Sequence, residues 1–348
     1  MDYTKQYINN SVIIEDKKKE VCVVSEQTFS SLSSLTTYKK VVDISKHHKI
    51  YGLTQNDYNE VLEKIKKQNC FLEYNYIYDK ISGTQIPLKD LVISANHNPN
   101  RYHALIQNRI NTLSNVAKEK NLSPLFMTLT LPSEFHKMKI DKKTKTLIPN
   151  PKYNHVTPKE AVKHLTKIFS RLRHDRSLKE LSKDERIYFR VNEPHKNGTP
   201  HTHVLLFVPK SSIDRVVTAF KRLFDNKAND IQINIENATS YIMKYINKTL
   251  PLSKKENLSK KDKYLNAWYC KHRIIRFNCS RTLAPLSLYR LLHEKFNLKE
   301  LTSLVKKKSL SIFVLQTNRD KIMEIFNGDE LIYQRSENYT LRNGLLDF

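Results

Sequence analysis

Two short stretches of this chain carry residues whose types and spacing could do chemistry. The first runs from Glu193 through His195, Asn197 and Gly198 to His201-Thr202-His203. His201 and His203 are two apart, so on an extended strand both imidazoles leave one side while Thr202 leaves the other. Two neutral imidazoles on one face can hold a divalent cation and keep coordination positions open for a substrate. A hairpin through the Gly- and Pro-containing turn would fold Glu193 back towards them. Its carboxylate would complete a two-histidine, one-carboxylate set suited to phosphate-bound Mg²⁺ or Mn²⁺, with His195 as an alternative third ligand. A bare His-x-His pair also occurs on plain solvent-facing strands. The compact turn, the nearby carboxylate and the apolar run 204–208 favour ligation here. Hydrolases of the His-x-His-x-Asp-His type fit less well, because Val204 and Leu205 follow, and the glycine-rich turns of cupins are absent.

The second stretch is Tyr241-Ile242-Met243-Lys244-Tyr245-Ile246-Asn247-Lys248. On a helix, four residues advance about 400°, so Tyr241 and Tyr245 share a face about 6 Å apart along the axis. Lys248 continues that face and Lys244 flanks it, while Ile242 and Ile246 form a separate apolar stripe. A phenol that ionises near ~10 is a weak nucleophile at neutral pH, and neighbouring ammonium groups or a metal on the target phosphate would favour its attack. The plain alternative is a helix with packed aromatics and solvated lysines.

These stretches need a scaffold, and the surrounding pattern supplies one. Residues 125–131 read as a strand closed by Pro132, followed by a polar loop over 137–152. A helix opens at Thr157-Pro158 and runs to about 173. Strands at 187–192 and 201–208 flank the turn, Ser211 and Ser212 cap a helix to about 224, residues 231–235 alternate as a short strand, and a helix covers 238–249. Strand, helix, strand, strand, helix, strand is the order of a ferredoxin-like antiparallel sheet, so the expected fold class is α+β. Upstream, residues 1–95 read as a largely helical accessory region with a helix over 54–67. A further helix covers 101–120. Residues 251–263 read as a Lys/Ser-rich linker, and the rest as a mixed helical and strand addition. The expected division is 1–95, 96–255 and 256–348.

Composition agrees with a polyanionic partner. Sixty Lys and Arg against 35 Asp and Glu leave +25 over 348 residues, a field that attracts nucleic acid. A Lys-favouring AT-rich genome would give part of the same surplus. Arg171, Arg173, Arg190, Lys221, Arg222 and the 254–263 linker could track a strand electrostatically, although each taken singly reads first as a plain solvated surface charge. The five glycines make no phosphate-binding P-loop, so any helicase must come from elsewhere. The four cysteines form no CxxC pair and read as reduced thiols of an intracellular protein. No signal peptide or membrane span is expected.

Together the two stretches resemble the HUH endonuclease superfamily, and within it the bacteriophage replication gene A protein family of rolling-circle initiators. The resemblance rests on LFMTLTLPSEFH (125–136), RVNEPHKNGTPHTHVLLF (190–207), YIMKYINK (241–248) and AWYCKHRIIRFNCSR (267–281), and covers roughly 98–295. Asn197 stands where Asp is expected and Thr202 where an aromatic is common; neither touches the chemistry. The resemblance implies an HUH core in which His201, His203 and Glu193 hold Mg²⁺ or Mn²⁺. It implies that Tyr241 and Tyr245 are paired nucleophiles with Lys244 and Lys248 beside them. The implied activity is site-specific nicking of single-stranded origin DNA, with or without a stem-loop, giving a 5′-phosphotyrosyl adduct and a free 3′-hydroxyl. Host helicase, single-strand binding protein and DNA polymerase are the implied partners, in the cytoplasm of a bacterial host cell. Conjugative relaxases place the tyrosine ahead of the histidines, and small transposases of this type are much shorter. A binding module with a vestigial centre would have lost a motif residue, and none is lost.

Overall fold

The computed structural model of the protein describes residues 49–344 apart from 142, 145, 225, 254–256 and 317–320. Residues 1–48 of the expected accessory region, Cys22 and part of the basic linker therefore lie outside the described residues. The described residues fall in one compact unit of α+β architecture.

At its centre is a five-stranded antiparallel sheet. The strands are β1 (Leu122–Thr130), β2 (Ile187–Pro194), β3 (Pro200–Pro209), β4 (Asp230–Gln232) and β5 (Phe277–Cys279), in the spatial order β4-β1-β3-β2-β5. Six helices bear on it or on its turns: α1 (Gln55–Glu73), α2 (Pro99–Glu119), α3 (Pro158–His174), α4 (Ile213–Leu223), α5 (Ala238–Thr249) and α6 (Lys260–His272). Their starts are legible in local chemistry. Thr54 and Asp57 close a capping box on α1, Thr157 and Glu160 on α3, and Ser259 and Asp262 on α6. Asn237 caps α5 by accepting from the Ser240 amide.

Strand alternation gives the sheet two apolar faces, and each is covered. Leu125, Met127 and Leu129 of β1 with Val204, Leu206 and Val208 of β3 meet α3 and α4. Phe126 of β1, Phe189 and Val191 of β2, and Leu205 and Phe207 of β3 meet α2 and α5. Burial on both faces explains why 204–208 is apolar without a break. His201 and His203 share the parity of Leu205 and Phe207, so they too face α5. Ile242 and Ile246, both fully buried, each contribute roughly 1.5–3 kcal/mol to holding α5 there.

A third cluster braces the turn between β2 and β3. Trp268 of α6 is fully buried beside Leu53 and Val61, and its indole N–H donates to the Gly198 carbonyl at 3.0 Å. Gly198 has φ +88°, and a Cβ there would lie 2.3 Å from the Tyr51 carbonyl oxygen.

Some sequence expectations change. The loop at 137–152 contains a small hairpin pairing Met138–Ile140 with Leu147–Pro149. Ser212 makes no capping hydrogen bond, because a 3₁₀ turn over Lys210–Ser212 leads directly into α4. The presumed linker ends as a 3₁₀ turn, Pro251–Ser253, and the first turn of α6. Upstream, the structure adds strand Asn75–Asp79, which pairs on one side with Gln85–Pro87 and on the other with the C-terminal strand Tyr339–Asn343. Downstream are helices Leu286–Leu292 and Leu298–Lys307 and a three-strand meander over Leu310–Leu315, Lys321–Asn327 and Glu330–Gln334. Among the described residues no helix is long and apolar enough to cross a membrane, and Cys70, Cys270 and Cys279 are free thiols.

Candidate active site

The β2–β3 register sets Glu193 directly opposite His201, and Val191 opposite His203. Glu193, His201 and His203 each offer one ligand atom, all within 4.8 Å of one another. The Glu193 Oε2 lies 3.7 Å from His201 Nε2 and 3.9 Å from His203 Nε2. All three side chains are buried, with Glu193 only 1% exposed. On the neighbouring strand, Thr128 stands opposite His203, its hydroxyl 3.2 Å from His203 Nδ1. A proton on Nδ1 shared with that hydroxyl leaves the Nε2 lone pair turned to the cluster.

Electrostatics favours ligation. Burial, then Lys248 and His195, hold His203 down to about 3. Burial, then His136 and Lys248, hold His195 down to about 4. His201 is pushed well below its ordinary value, by burial first and then by the neighbouring imidazoles. Neutral at pH 7, these rings have free lone pairs and need no proton displaced. Burial raises Glu193, and the Lys248 ammonium, 2.6 Å from Oε2, opposes that rise. The second carboxylate oxygen, Oε1, and His201 Nδ1 are buried without a hydrogen-bond partner among the described residues. Two nitrogen donors and a carboxylate with an unused oxygen fit a hard divalent cation such as Mg²⁺ or Mn²⁺. His195 stacks on His201 at 4.2 Å with its Nε2 unpartnered, so it borders the cluster.

The tyrosines close over this group. The Tyr245 ring lies 3.9 Å from that of His203, and the Tyr241 and Tyr245 rings are 5.8 Å apart. Phe126 supports both, at 4.5 Å from Tyr241 and 5.2 Å from Tyr245. The Tyr241 hydroxyl donates to Gln232 of β4 at 3.0 Å. The expectation that lysines ease ionisation is not met at Tyr245. Burial, then the Tyr241 hydroxyl and the negative charges of Glu193 and Asp230, raise its phenol above the ordinary value. The Lys248 charge is taken by Glu193 instead. Lys244 is exposed and makes no hydrogen bond or ion pair with a described residue.

The structure thus gathers Glu193, His201, His203, Tyr241, Tyr245 and Lys248, but not Lys244. It adds supports that the sequence did not signal: Phe126, Thr128 and Gln232 on neighbouring strands, and His136, whose ring is 5.4 Å from His195. At the far end of α5, the buried Arg276 donates to the Thr249 carbonyl at 3.2 Å and to Asn266 at 2.5 Å. His103 of α2 meets Asn247 at 2.8 Å.

Comparison with known proteins bears on this arrangement. The chain is 32% identical over 184 residues to the replication protein of Haemophilus phage HP1, covering 48% of this chain and 22% of that protein. It is 28% identical over 227 residues to the replication gene A protein of Escherichia phage 186, covering 60% and 31%. It is 26% identical over 248 residues to a probable replication endonuclease from a prophage-like region of Salmonella typhi, covering 63% and 30%. The matched part thus spans less than a third of these relatives' length. No solved structure matches the chain. A profile of the bacteriophage replication gene A protein (GPA) matches residues 35–252, a span that includes Glu193, His201, His203, Tyr241, Tyr245 and Lys248, and the chain belongs to that family.

Proposed function

We propose that this protein initiates rolling-circle DNA replication by nicking single-stranded origin DNA and remaining attached to it through a tyrosine. The observation that carries the reading is the convergence of Glu193, His201 and His203 beneath the ring of Tyr245. The spatial order β4-β1-β3-β2 supports a ferredoxin-like HUH core. The catalytic unit is assigned to residues 96–255, buttressed by α6 and β5 of the 256–348 region, with 1–95 as an accessory segment.

Bound to Glu193, His201 and His203, Mg²⁺ or Mn²⁺ would polarise the scissile phosphate and stabilise charge on its oxygens. The tyrosine hydroxyl oxygen attacks phosphorus and gives up its proton. The bond to the 3′-oxygen breaks, and that oxygen leaves as a hydroxyl after taking up a proton. One phosphodiester is exchanged for another, so rejoining by the 3′-hydroxyl needs no external energy. A polymerase extends the free 3′ end while a host helicase and single-strand binding protein handle the displaced strand. Tyr241 and Tyr245, side by side on Phe126, allow one to cleave a regenerated origin while the other holds the first strand. Lys248 keeps the buried Glu193 carboxylate charged, and Lys244, exposed beside the tyrosines, is assigned to the strand.

A pool of labelled single strands incubated with Mn²⁺ and run on a denaturing gel tests this. A covalent adduct is expected, lost in excess chelator and restored by Mg²⁺ or Mn²⁺. Tyr241→Phe and Tyr245→Phe singly should each still form adduct, and the double variant none. Adduct formed by the double variant, or full nicking in chelator, would overturn the reading.

A further inference from the structure

The face of the sheet turned away from the tyrosines carries a second charged feature. Along β2 the parity of Glu193 is shared by Val191 and Phe189, so Arg190 and Tyr188 project from the opposite face. There they line a cavity of about 820 Å³ with Arg173, Lys179, Lys183, Arg186 and Arg281, and no Asp or Glu lines it. Arg190 is 7% exposed, yet its side chain makes no hydrogen bond or ion pair with a described residue. Its guanidinium rests 5.0 Å from the Phe169 ring centre and 5.9 Å from that of Tyr188. Arg173 crowds the same two rings at 5.8 and 5.7 Å, and its Nε is also buried without a partner.

Buried charges in proteins are paired or hydrogen-bonded, because desolvation is otherwise uncompensated. Ring faces attract a guanidinium but leave its in-plane N–H donors unsatisfied. Two guanidiniums side by side also repel, and burial together with Arg173 works against the charge on Arg190. Every other lining cation adds to the same field. What is missing is an anion with several acceptor oxygens, and the planar fork of Arg suits a phosphate.

We propose that this cavity is a second phosphate-binding site, which seats the backbone of DNA on the side of the sheet opposite the nicking centre. It rests on DNA being the substrate, and it changes the reading of Arg173 and Arg190 from surface charges along the cleaved strand to the wall of a remote anchor. A strand held at both sites is gripped at a distance from the bond to be cut, which fixes register without occupying the tyrosines.

Binding of a fluorescent single strand, long enough to reach both faces, to the full chain in chelator reads this site without any cleavage. The exposed pair Lys183→Gln with Arg281→Gln leaves the core untouched. Losing two phosphate contacts should lower the slope of log affinity against log salt by about 1.4 for a single strand, or about 1.8 if a duplex is the preferred occupant. Lys66→Gln with Lys67→Gln removes the same charge from an exposed stretch of α1 and should change the slope far less. Arg190→Met, once its circular dichroism matches the parent, should also weaken binding. Equal effects of the two double variants would show only general attraction and overturn the proposal. So would unchanged DNA binding in a cavity whose arginines inorganic phosphate alone protects from phenylglyoxal. Because cleavage is never read, failure to nick would count against the proposed function and leave this result standing.

Discussion

Glu193→Gln separates the role proposed for that residue as a ligand from its observed position as a buried acid. The carboxylate is 1% exposed, and desolvation outweighs its attraction to Lys248, so its ionised form is held at a cost in the metal-free protein. Gln keeps the volume and removes the charge. Lys248, whose side chain is 60% exposed, can turn to water. The chelated variant should therefore melt at or above the parent temperature. With Mn²⁺ at a hundred times its dissociation constant the parent gains about 2.7 kcal/mol of stability. Loss of a ligand that weakens binding about 100-fold leaves about 0.4 kcal/mol of that gain. For a chain of this size the difference is a lost shift of roughly 3 °C. Differential scanning fluorimetry in chelator and across a Mn²⁺ series measures both terms. An undiminished Mn²⁺ shift would refute the ligand assignment, and a chelated variant melting many degrees lower would refute the charge argument.

Three further perturbations test the supports. His195 and His203, held at about 4 and about 3, stay neutral in the fold, whereas unfolded imidazoles take up protons near ~6.5. The unfolded chain then binds more protons, so metal-free stability should be full above about pH 6.5 and fall towards pH 4, by up to about 1.4 kcal/mol per pH unit for each ring. His203→Asn should flatten this melting-temperature profile, and an unchanged profile would sink the assignment. Gly198→Ala places a Cβ 2.3 Å from the Tyr51 carbonyl oxygen at φ +88° and should cost about 2–4 kcal/mol in urea unfolding; a midpoint near the parent's would show that the turn yields freely. Arg276→Met removes the bonds to the Thr249 carbonyl and Asn266 and should cost about 2–3 kcal/mol, with a change under 1 kcal/mol contradicting its role as the tether of α5.

What the sequence reveals follows from periodicity. His201 and His203 could be put on one face because strand parity is two, but the unbroken apolar run after them, buried on both faces, does not say which helix that face meets. Helix α5 spans the expected residues 238–249, with Ile242 and Ile246 as its buried stripe. Contacts between distant segments leave no such trace. Thr128 is 75 residues from His203, and Tyr51 meets Gly198 across a separation that no local pattern encodes. Lys248 was legible as a cation on the tyrosine face, but its engagement with Glu193 depends on how α5 crosses β2. Arg190 misled for the same reason as His203 succeeded. Its parity is opposite to Glu193, which takes it to the α3 face under Phe169 rather than to solvent.

Under the proposed function, the charge states of the assembled site also bear on how random cutting would be avoided. The imidazoles are neutral, the buried Glu193 carboxylate is only partly offset by Lys248, and the Tyr245 phenol is harder to ionise than a free one. None of these groups alone makes a strong nucleophile at pH 7. A chain with a surplus of +25 meets nucleic acid wherever it diffuses, so attraction by itself says nothing about where to cut. On the proposed function, reactivity that depended on filling the Glu193–His201–His203 cluster, and on seating a phosphate beneath Tyr241 and Tyr245, would make encounter and cleavage separate events. The fold would support such a site with rigid elements: two long strands carrying Glu193, His201 and His203, the buried Ile242/Ile246 face of α5 behind the tyrosines, and Trp268 beneath the turn.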